Sequence, residues 1–429
     1  MGDSVPCLPR GLGWRIVQRT MDRQQAQGRT LRTLMITQVL GGVGLAAGAT
    51  VGSLLAERIS GRTDLAGLGG TFQTLGSAAL ALPIAALAHR AGRRPSLTMA
   101  YVVAALGALG IIAAAALSSF ALFLLASAAL GSATAANSAA RYAAADLALP
   151  QRRGRDLSLV VWVTTLGSVL GPNLAGPAEP IARTLGIDVL AGPFAISAAC
   201  LVLGAIVMTI WLRPDPLLLS RELSPQESAP HKGSISRGWA AIRRHRAAAH
   251  GVAIMALAHV VMVAVMVMTP LHLVHGEASL AVVGFVISGH ILGMFAFAPI
   301  FGLALDRFGA PVVALVGGAI LMLAAITAGM SSAGFSVRLT VALFLLGLGW
   351  SAAFVSGSTL LVGPLTVAER PGGQGLADLL MGQTAAAGGA LAGVVVQHWG
   401  YAWLAHLALI GAIAITVIAA MTHDCRRPA

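Results

Sequence analysis

The chain has 429 residues, of which 57% are hydrophobic and only 10% are Asp, Glu, Lys or Arg. A soluble protein carries about 25% charged residues, so this composition excludes an ordinary water-soluble domain. A net charge of +12 can indicate a protein that binds nucleic acid. The positions of the charges must therefore decide between nucleic acid and a membrane.

Charged residues are absent from ten long stretches of the sequence. Eight of these stretches run from 22 to 30 residues, and two, 95–140 and 379–423, hold 46 and 45 residues. A membrane-spanning helix needs about 20 mostly apolar residues, so each shorter stretch fits one span and each longer stretch fits two. Apolar runs of this length favour helices over barrel strands. The twelve predicted spans, numbered 1 to 12, are 31–56, 65–88, 95–117, 120–147, 157–177, 187–212, 248–273, 279–305, 310–331, 337–364, 375–397 and 401–422.

The basic residues predict how the spans cross the membrane. If the N-terminus is cytoplasmic, 24 of the 28 basic residues lie on that side, and only Arg58, Arg62, Arg183 and Arg338 lie outside. We therefore predict a multi-pass protein with both termini in the cytoplasm, and the positive charge no longer indicates nucleic acid. The Ala-rich composition, with Arg preferred over Lys, is typical of a high-GC bacterium, so the expected location is a bacterial inner (plasma) membrane.

The longest hydrophilic stretch divides the chain into two halves. The predicted parts are an N-terminal tail (1–30), a six-helix bundle (31–212), a linker (213–247), a second six-helix bundle (248–422) and a C-terminal tail (423–429). The halves resemble one another, because residues 89–92 after span 2 match residues 306–309 after span 8 at an offset of 217. The same offset pairs Gly76 with Gly293 and Gln73 with His290, and an offset of 221 pairs Gln38 with His259. Such a duplication predicts a transporter with two bundles that rock around a central site.

The repeated loops carry a recognisable motif. With these loops and its twelve spans, the chain resembles the major facilitator superfamily of transporters over essentially its whole length. In that family the loop after span 2 reads roughly G-x-x-x-D-R-x-G-R-R. Its counterparts in this chain are His89, Arg90, Gly92 and Arg93 in the first half, and Asp306, Arg307 and Gly309 in the second. The resemblance implies an all-α membrane fold of two pseudo-symmetric six-helix bundles, in which these loops form a latch that closes the cytoplasmic side.

Span 5 carries a second motif, made of Gly167, Gly171, Pro172 and Gly176. It is similar to a glycine–proline motif of exporters of the drug/proton antiporter type. Ordinary close packing of helices explains the glycines equally well, and Pro172 would kink the helix. Two features depart from the family's pattern. His89 replaces the aspartate of the loop motif, and no arginine stands near Ser127, where span 4 often carries a proton-coupling arginine, so proton coupling stays open.

The deep polar residues are the candidates for the substrate cavity. No carboxylate lies in the centre of a span, so His259 and His290 come first, because an ionisable group in the membrane is costly. Each could bind substrate or exchange a proton, or could instead bond a neighbouring backbone. The internal repeat adds two glutamines, and the resemblance, in which spans 1, 4, 7 and 10 line the cavity, adds residues of spans 4 and 10. The full set of cavity candidates is Gln38, Gln73, Asn137, His259, His290, Trp350, Ser351 and, in span 11, Gln383.

Three charges near the cytoplasmic ends are candidates for a gate. In the family, the ends of spans 4 and 11 approach when the inside is closed, so we expect Arg141 and Asp378 to pair across the halves. Asp146 would then hold Arg90 or Arg93 within the first half. Alternatively, these side chains only reach the headgroups by snorkelling. Asp378 joins His259 and His290 as a candidate for proton coupling.

Motifs of enzymes are missing from the sequence. It has no phosphate-binding G-x-x-x-x-G-K-[ST] run, and Cys7, Cys200 and Cys425 are placed for neither a disulfide nor a metal cluster, so we expect no cofactor and no metal. The leading hypothesis is a monomeric secondary transporter that exports a small, fairly apolar organic compound, with protons as the candidate coupling ion. The alternatives are a metabolite or vitamin permease, acting as importer or uniporter, and a non-transporting membrane scaffold or sensor.

Overall fold

The computed structural model describes residues 10–149, 153–223, 235–366 and 369–424, and these residues form a bundle of helices without strands. Eleven of their helical segments are long and apolar enough to cross a membrane. A twelfth helix, Arg153–Asn173, follows the fourth of these segments, and the charged residues at its start make it more polar. The predicted all-α fold with twelve spans is confirmed for this part of the chain.

The spans run back and forth between two faces of the bundle. We name the side that carries the connection from span 2 to span 3, the start of span 1 and the end of span 12 the basic face, and the other side the opposite face. The bounds are span 1, Arg10–Ser60; span 2, Leu68–Ala91; span 3, Arg93–Ala116; span 4, Phe120–Leu130 with Ser132–Asp146; span 5, Arg153–Asn173; span 6, Gly192–Trp211; span 7, Arg246–Val274; span 8, Leu280–Phe295 with Ala298–Phe308; span 9, Ala310–Gly329; span 10, Val337–Val362; span 11, Arg370–Trp399; and span 12, Tyr401–Asp424. Short helices at Ala178–Leu185, Pro216–Leu223 and Ile235–Arg244, and 3-10 turns at Thr63–Leu65 and Val189–Ala191, connect them.

Span 1 is much longer than its apolar stretch. It begins at Arg10 rather than near residue 31, so most of the predicted N-terminal tail is helical. The Arg23 side chain holds this extension, because it donates hydrogen bonds to the carbonyl oxygens of Leu147 at 3.0 Å and Ala148 at 3.2 Å. The extension is thus fixed to the connection between spans 4 and 5, a tertiary contact that hydropathy does not report.

Spans 2 and 8 end in the same way. Gly92 has a φ of 99° and Gly309 a φ of 82°, a region that side chains with a Cβ rarely adopt. Glycine at these positions stops one helix and lets the next begin within two residues. These are the glycines that the sequence repeat aligns, so the repeat is present in the backbone.

The helix crossings repeat as well. Span 4 crosses span 2 at Gly131, where an added Cβ would overlap the carbonyl oxygen of Gln73. Span 10 crosses span 8 at Gly347, where a Cβ would overlap the carbonyl oxygen of His290. Small residues allow such close approach between helices in a membrane. Gln73 and His290 therefore occupy equivalent places in the two bundles.

Candidate functional site

The two halves touch at the opposite face, first along spans 2 and 11. A Cβ added at Gly67 would overlap the carbonyl oxygen of Gly389, so the two backbones lie in direct contact. Close by, the Thr71 hydroxyl donates a hydrogen bond to the carbonyl oxygen of Ala386 at 2.8 Å. This contact closes one end of the space between the halves.

Spans 5 and 8 form a second contact at the same face. A Cβ added at Gly284 would overlap the carbonyl oxygen of Pro172. The Asn173 side chain donates to the Ser288 hydroxyl at 2.7 Å, and that hydroxyl donates to the carbonyl oxygen of Val169 at 2.8 Å. Backbone contact and neutral hydrogen bonds therefore join the halves here too.

The span 5 motif divides between two contacts. Gly167 and Gly171 face span 1, where a Cβ on Gly171 would lie 2.7 Å from the Cβ of Ala46. Pro172 and Gly176 instead face span 8 in the other half. The motif thus packs span 5 within its own bundle and also shapes the contact between the bundles.

One ion pair joins the halves within the described residues. The Nε2 atom of His275, after span 7, lies 3.3 Å from a carboxylate oxygen of Glu57 in span 1. The Thr63 hydroxyl also donates to the Glu57 carboxylate. Both partners are partly exposed, and His275 carries charge only when it is protonated. The sequence analysis missed this pair because its members are 218 residues apart.

At the basic face, each ion pair of the described residues stays within one half. Arg93 binds Asp146 at 2.8 Å and ties span 3 to span 4, one of the two pairings that the sequence left open. In the second half, Arg244 binds Glu369 at the start of span 11. Among the described residues, every side-chain hydrogen bond between the halves lies towards the opposite face. Side-chain hydrogen bonds of the described residues therefore join the halves at that face and not at the basic face.

The other gate candidates at the basic face are not engaged across the halves. Arg141 donates to the Ser138 hydroxyl at 3.1 Å, and no ion pair within 4.0 Å joins it to Asp378 in the described residues. Asp378 is nevertheless exposed and within electrostatic reach of Arg141. Asp306 and Arg307 are also exposed. This arrangement fits a latch whose partners are apart while the basic face is open.

A cavity of 200 Å³ lies between the halves, beside the contact of spans 2 and 11. Both halves line it, and its wall contains no Asp, Glu, Lys, Arg or His. Gln73 is the one sequence-predicted candidate in this wall. The side chains of the cavity wall that carry a hydroxyl or amide group are Ser53, Thr71, Gln73, Thr74 and Ser127. The Ser53 hydroxyl is buried without a hydrogen-bond partner, and only its place among the small residues of span 1 could have indicated it.

His259 lies next to this cavity on span 7. Val263 lines the cavity, and His259 is one turn closer to the basic face on the same side of the helix. Its Nδ1 atom accepts a hydrogen bond from the indole N–H of Trp350 at 3.1 Å. The ring proton must then be on Nε2, so His259 is a neutral hydrogen-bond donor. Trp350 stacks on Phe354 with centroids 4.9 Å apart and meets Phe295 edge-on at 6.1 Å.

His290 and Gln38 are held inside their own bundles. His290 is fully buried, and its Nδ1 donates to the carbonyl oxygen of Leu343 at 2.8 Å, while Nε2 has no partner. Gln38 is 1% exposed and donates to the Thr164 hydroxyl at 3.0 Å. Both side chains therefore connect helices within one half, the alternative that the sequence left open for the histidines.

The remaining cavity candidates are spread over different places. Asn137 accepts a hydrogen bond from the Tyr101 hydroxyl at 3.2 Å within the first bundle. Ser351 is 1% exposed. Gln383 is exposed on span 11 and does not line the cavity. The structure thus brings Gln73 to the cavity and His259 with Trp350 beside it, but not these three.

A carboxylate that the sequence analysis missed reaches the loop after span 2. Asp215 accepts hydrogen bonds from the backbone N–H of Arg94 at 2.7 Å and of Leu217 at 3.0 Å. It therefore caps span 3 and the short helix that follows it, near the loop in which His89 replaces an aspartate. Asp215 precedes Pro216, and an aspartate before a proline is the usual signal of a helix start. No cluster of metal-binding side chains occurs among the described residues.

Known proteins resemble this chain over most of its length. A family model described as Major Facilitator Superfamily matches residues 34–280. The uncharacterized MFS-type transporter YdeG of Bacillus subtilis is 39% identical over 90% of this chain and 89% of its own length. YddS of the same organism, also an MFS-type transporter, is 38% identical over 88% and 87%. The riboflavin transporter RfnT of Brucella anthropi is 28% identical over 88% and 91%.

A solved structure shares the fold. The crystal structure of the nucleoside transporter NupG superposes with a TM-score of 0.61 at 16% identity, and the match covers 93% of this chain and all of that one. At this identity the likeness concerns the fold alone. The family match and the two Bacillus relatives go further: the chain belongs to the Major Facilitator Superfamily of membrane transporters.

Proposed function

We propose that this transporter is a secondary active exporter of a small, uncharged and mainly apolar organic compound. The observation that supports the proposal most is the cavity between the halves, whose wall carries no ionisable side chain. A charged substrate would need a counter-charge in such a wall, because unpaired charge is costly within the membrane. An apolar compound would instead gain about 25 cal/mol for each Å² of surface that it buries.

Alternating access would move this compound across the membrane. The protein would lie in a bacterial plasma membrane with its basic face towards the cytoplasm, since basic residues concentrate on the cytoplasmic side of membrane proteins. The contacts at the opposite face are mainly backbone contacts and neutral hydrogen bonds, so they could part without stranding a buried charge. In the other state, Arg141 and Asp378 would approach and close the basic face.

Asp378 is the residue to which we assign proton coupling. The Nδ1 atom of His259 is occupied by Trp350, and His290 is buried away from the cavity. Asp378 is exposed on the side of span 11 that faces the first half. As a carboxylate it would attract Arg141, and a proton on Asp378 would remove that attraction. Proton binding would thereby change how easily the basic face closes.

A second candidate function is a permease for a vitamin-like heteroaromatic compound, acting as importer or uniporter. The 28% identity to the riboflavin transporter RfnT favours it. His259 beside the cavity also offers a hydrogen-bond donor, and the stacked rings of Trp350 and Phe354 pack next to it. Aromatic rings pack favourably against one another by offset stacking.

A flux assay separates the two functions. Purified protein in proteoliposomes is tested with riboflavin and a panel of neutral apolar drug-like compounds, under imposed pH and voltage gradients. If the protein is a proton-coupled exporter, the pH gradient should drive flux of an apolar compound. Asp378→Asn should abolish this gradient-driven flux, while exchange of the compound across the membrane persists. Glu222→Gln removes another basic-face carboxylate and should change nothing. Riboflavin flux that ignores both gradients would favour the permease, and no flux from folded protein would contradict transport.

A further inference from the structure

The outer surface of the first bundle carries a long groove between spans 3 and 6. Two adjoining cavities of 400 and 520 Å³ form it, and they share Thr98 and Thr209. The two threonine hydroxyls lie 3.2 Å apart. The deeper walls are alanines of low exposure, Ala105 at 4% and Ala205 at 6%. The rims are exposed apolar side chains, namely Val102, Leu106, Leu109, Val202, Ile206 and Ile210.

The length of the groove matches one leaflet of a bilayer. Its apolar part runs on span 3 from Thr98 to Leu109, eleven residue steps that rise about 16 Å at 1.5 Å each, and its mouth continues to Arg94 at the start of the span. The hydrocarbon core of a bilayer is about 30 Å thick, so this is close to half of it. The groove therefore extends from the basic face to the middle of the membrane, which is the depth that one acyl chain occupies.

The mouth of the groove at the basic face is positively charged. Arg94 lines it, and its guanidinium has no carboxylate partner among the described residues, whereas its neighbour Arg93 is paired with Asp146. Arg213 is exposed two residues before Asp215, which also lines the mouth. The Asp215 carboxylate in the same lining accepts hydrogen bonds from backbone N–H groups and forms no ion pair with Arg94, whose guanidinium is left to bind an anion.

We propose that this groove binds an anionic phospholipid of the leaflet at the basic face. One acyl chain lies between spans 3 and 6, and the headgroup phosphate lies against Arg94 and Arg213. Basic residues at a membrane surface attract anionic lipid, so these two favour an anionic headgroup over a zwitterionic one. The proposal concerns a structural ligand and does not depend on which compound is transported.

Trp211 provides the readout, because it is 54% exposed next to Ile210 at the mouth of the groove. The full chain is placed in phosphatidylcholine vesicles that contain a minor fraction of brominated phosphatidylglycerol or brominated phosphatidylcholine. The difference in fluorescence quenching between the unmodified chain and the Trp211→Phe variant is the quenching of Trp211, and it reports lipid at the groove. We expect at least threefold stronger quenching of Trp211 by brominated phosphatidylglycerol than by brominated phosphatidylcholine.

Variants distinguish specific binding at the groove from a general enrichment of anionic lipid around the protein. Arg94→Gln combined with Arg213→Gln should remove the preference, whereas Arg94→Lys should keep most of it. Trp403, which is 56% exposed near the start of span 12 at the opposite face, is the control and should show no such preference. Equal quenching of Trp211 by both lipids, or the same preference at Trp403, would overturn the proposal. Circular dichroism of each variant verifies that the helices are retained.

Discussion

The contacts at the boundary between the halves differ between the two faces of the bundle. At the opposite face, glycines such as Gly67 and Gly284 bring the backbones of the two halves together, and a single partly exposed pair, His275 with Glu57, adds charge. At the basic face, Arg93 with Asp146 and Arg244 with Glu369 stabilise each half separately.

These two kinds of contact indicate how the boundary between the halves could open at one face while it closes at the other. Contacts between small residues depend on shape, so a small rotation of one half separates them at low cost. Charge pairs inside a half keep that half rigid while it rotates. The contacts between the halves at the opposite face, which we call the seal, would then form and break reversibly. At the basic face, each half would move as a rigid body.

The largest effect should come from overfilling the seal. Gly284→Ala places a Cβ against the carbonyl oxygen of Pro172, and such overpacking costs about 1–3 kcal/mol. The state closed at the opposite face should lose about 5- to 150-fold in population. A cysteine at Ser53, buried in the cavity wall, should then react with an impermeant maleimide added at the opposite face.

Gly289→Ala is the matched control, because it lies on the same span and a Cβ there would meet nothing within 4 Å. It should leave the labelling of the cysteine unchanged. Equal labelling in the two alanine variants would show that the glycine contact does not form the seal.

Removal of a charge inside one half should destabilise that half without opening the seal. Asp146→Asn leaves Arg93 unpaired at a site where both side chains are largely buried, which should cost about 1–3 kcal/mol of unfolding free energy. Thermal unfolding in detergent measures the loss. Glu179→Gln, in the exposed pair with Arg183, should cost about 0.5 kcal/mol or less. A larger loss for Glu179→Gln than for Asp146→Asn would contradict the assignment of rigidity to the basic face.

A substitution next to the cavity should have a moderate effect on binding of the transported compound. Trp350→Phe keeps an aromatic ring but removes the N–H that bonds His259, a loss of about 1 kcal/mol. The apparent affinity for the transported compound should fall about fivefold, as measured by its concentration dependence in proteoliposomes. Trp399→Phe changes an exposed tryptophan and should leave the affinity unchanged. If both variants bind equally well, the His259–Trp350 pair has no role in binding.

The smallest effect should come from the ion pair of the seal. Glu57→Gln removes an exposed pair that contributes about 0.2–1 kcal/mol, so the closed state should lose no more than about fivefold in population. Asp188→Asn at the same face breaks the pair with Arg58 inside one half and should not change the labelling of the cavity cysteine. An effect of Glu57→Gln greater than that of Gly284→Ala would reverse the contrast and make charge the main element of the seal.

The sequence predicts the fold better than it predicts the contacts. Lipid requires internally bonded helices, so the charge-free stretches were enough to find twelve spans. Residue type also indicated that Asp146 binds Arg90 or Arg93, and the repeat placed Gln73 and His290 in equivalent positions. The repeat did not show that His290 would bond Leu343 rather than line the cavity, because that depends on how the helix is rotated in its bundle.

Contacts between distant segments account for most of what was missed. The pair of Glu57 and His275, and the capping of span 3 by Asp215, join segments far apart in sequence, and no local pattern encodes them. The length of span 1 was missed for a similar reason, since Arg23 in its N-terminal extension binds carbonyl groups of Leu147 and Ala148, far away in the sequence.

The most direct test of the account compares the two ends of the same two helices. Spin labels at Arg62 and Trp399 report the distance between spans 2 and 11 at the opposite face, and labels at Arg90 and Gln374 report it at the basic face. The native cysteines are replaced by serine, and each labelled pair is measured in proteoliposomes over a range of pH, with and without transported compound. Alternating access with a glycine seal predicts that one distance lengthens as the other shortens. Distances that change together, or that do not change under any condition, would contradict it.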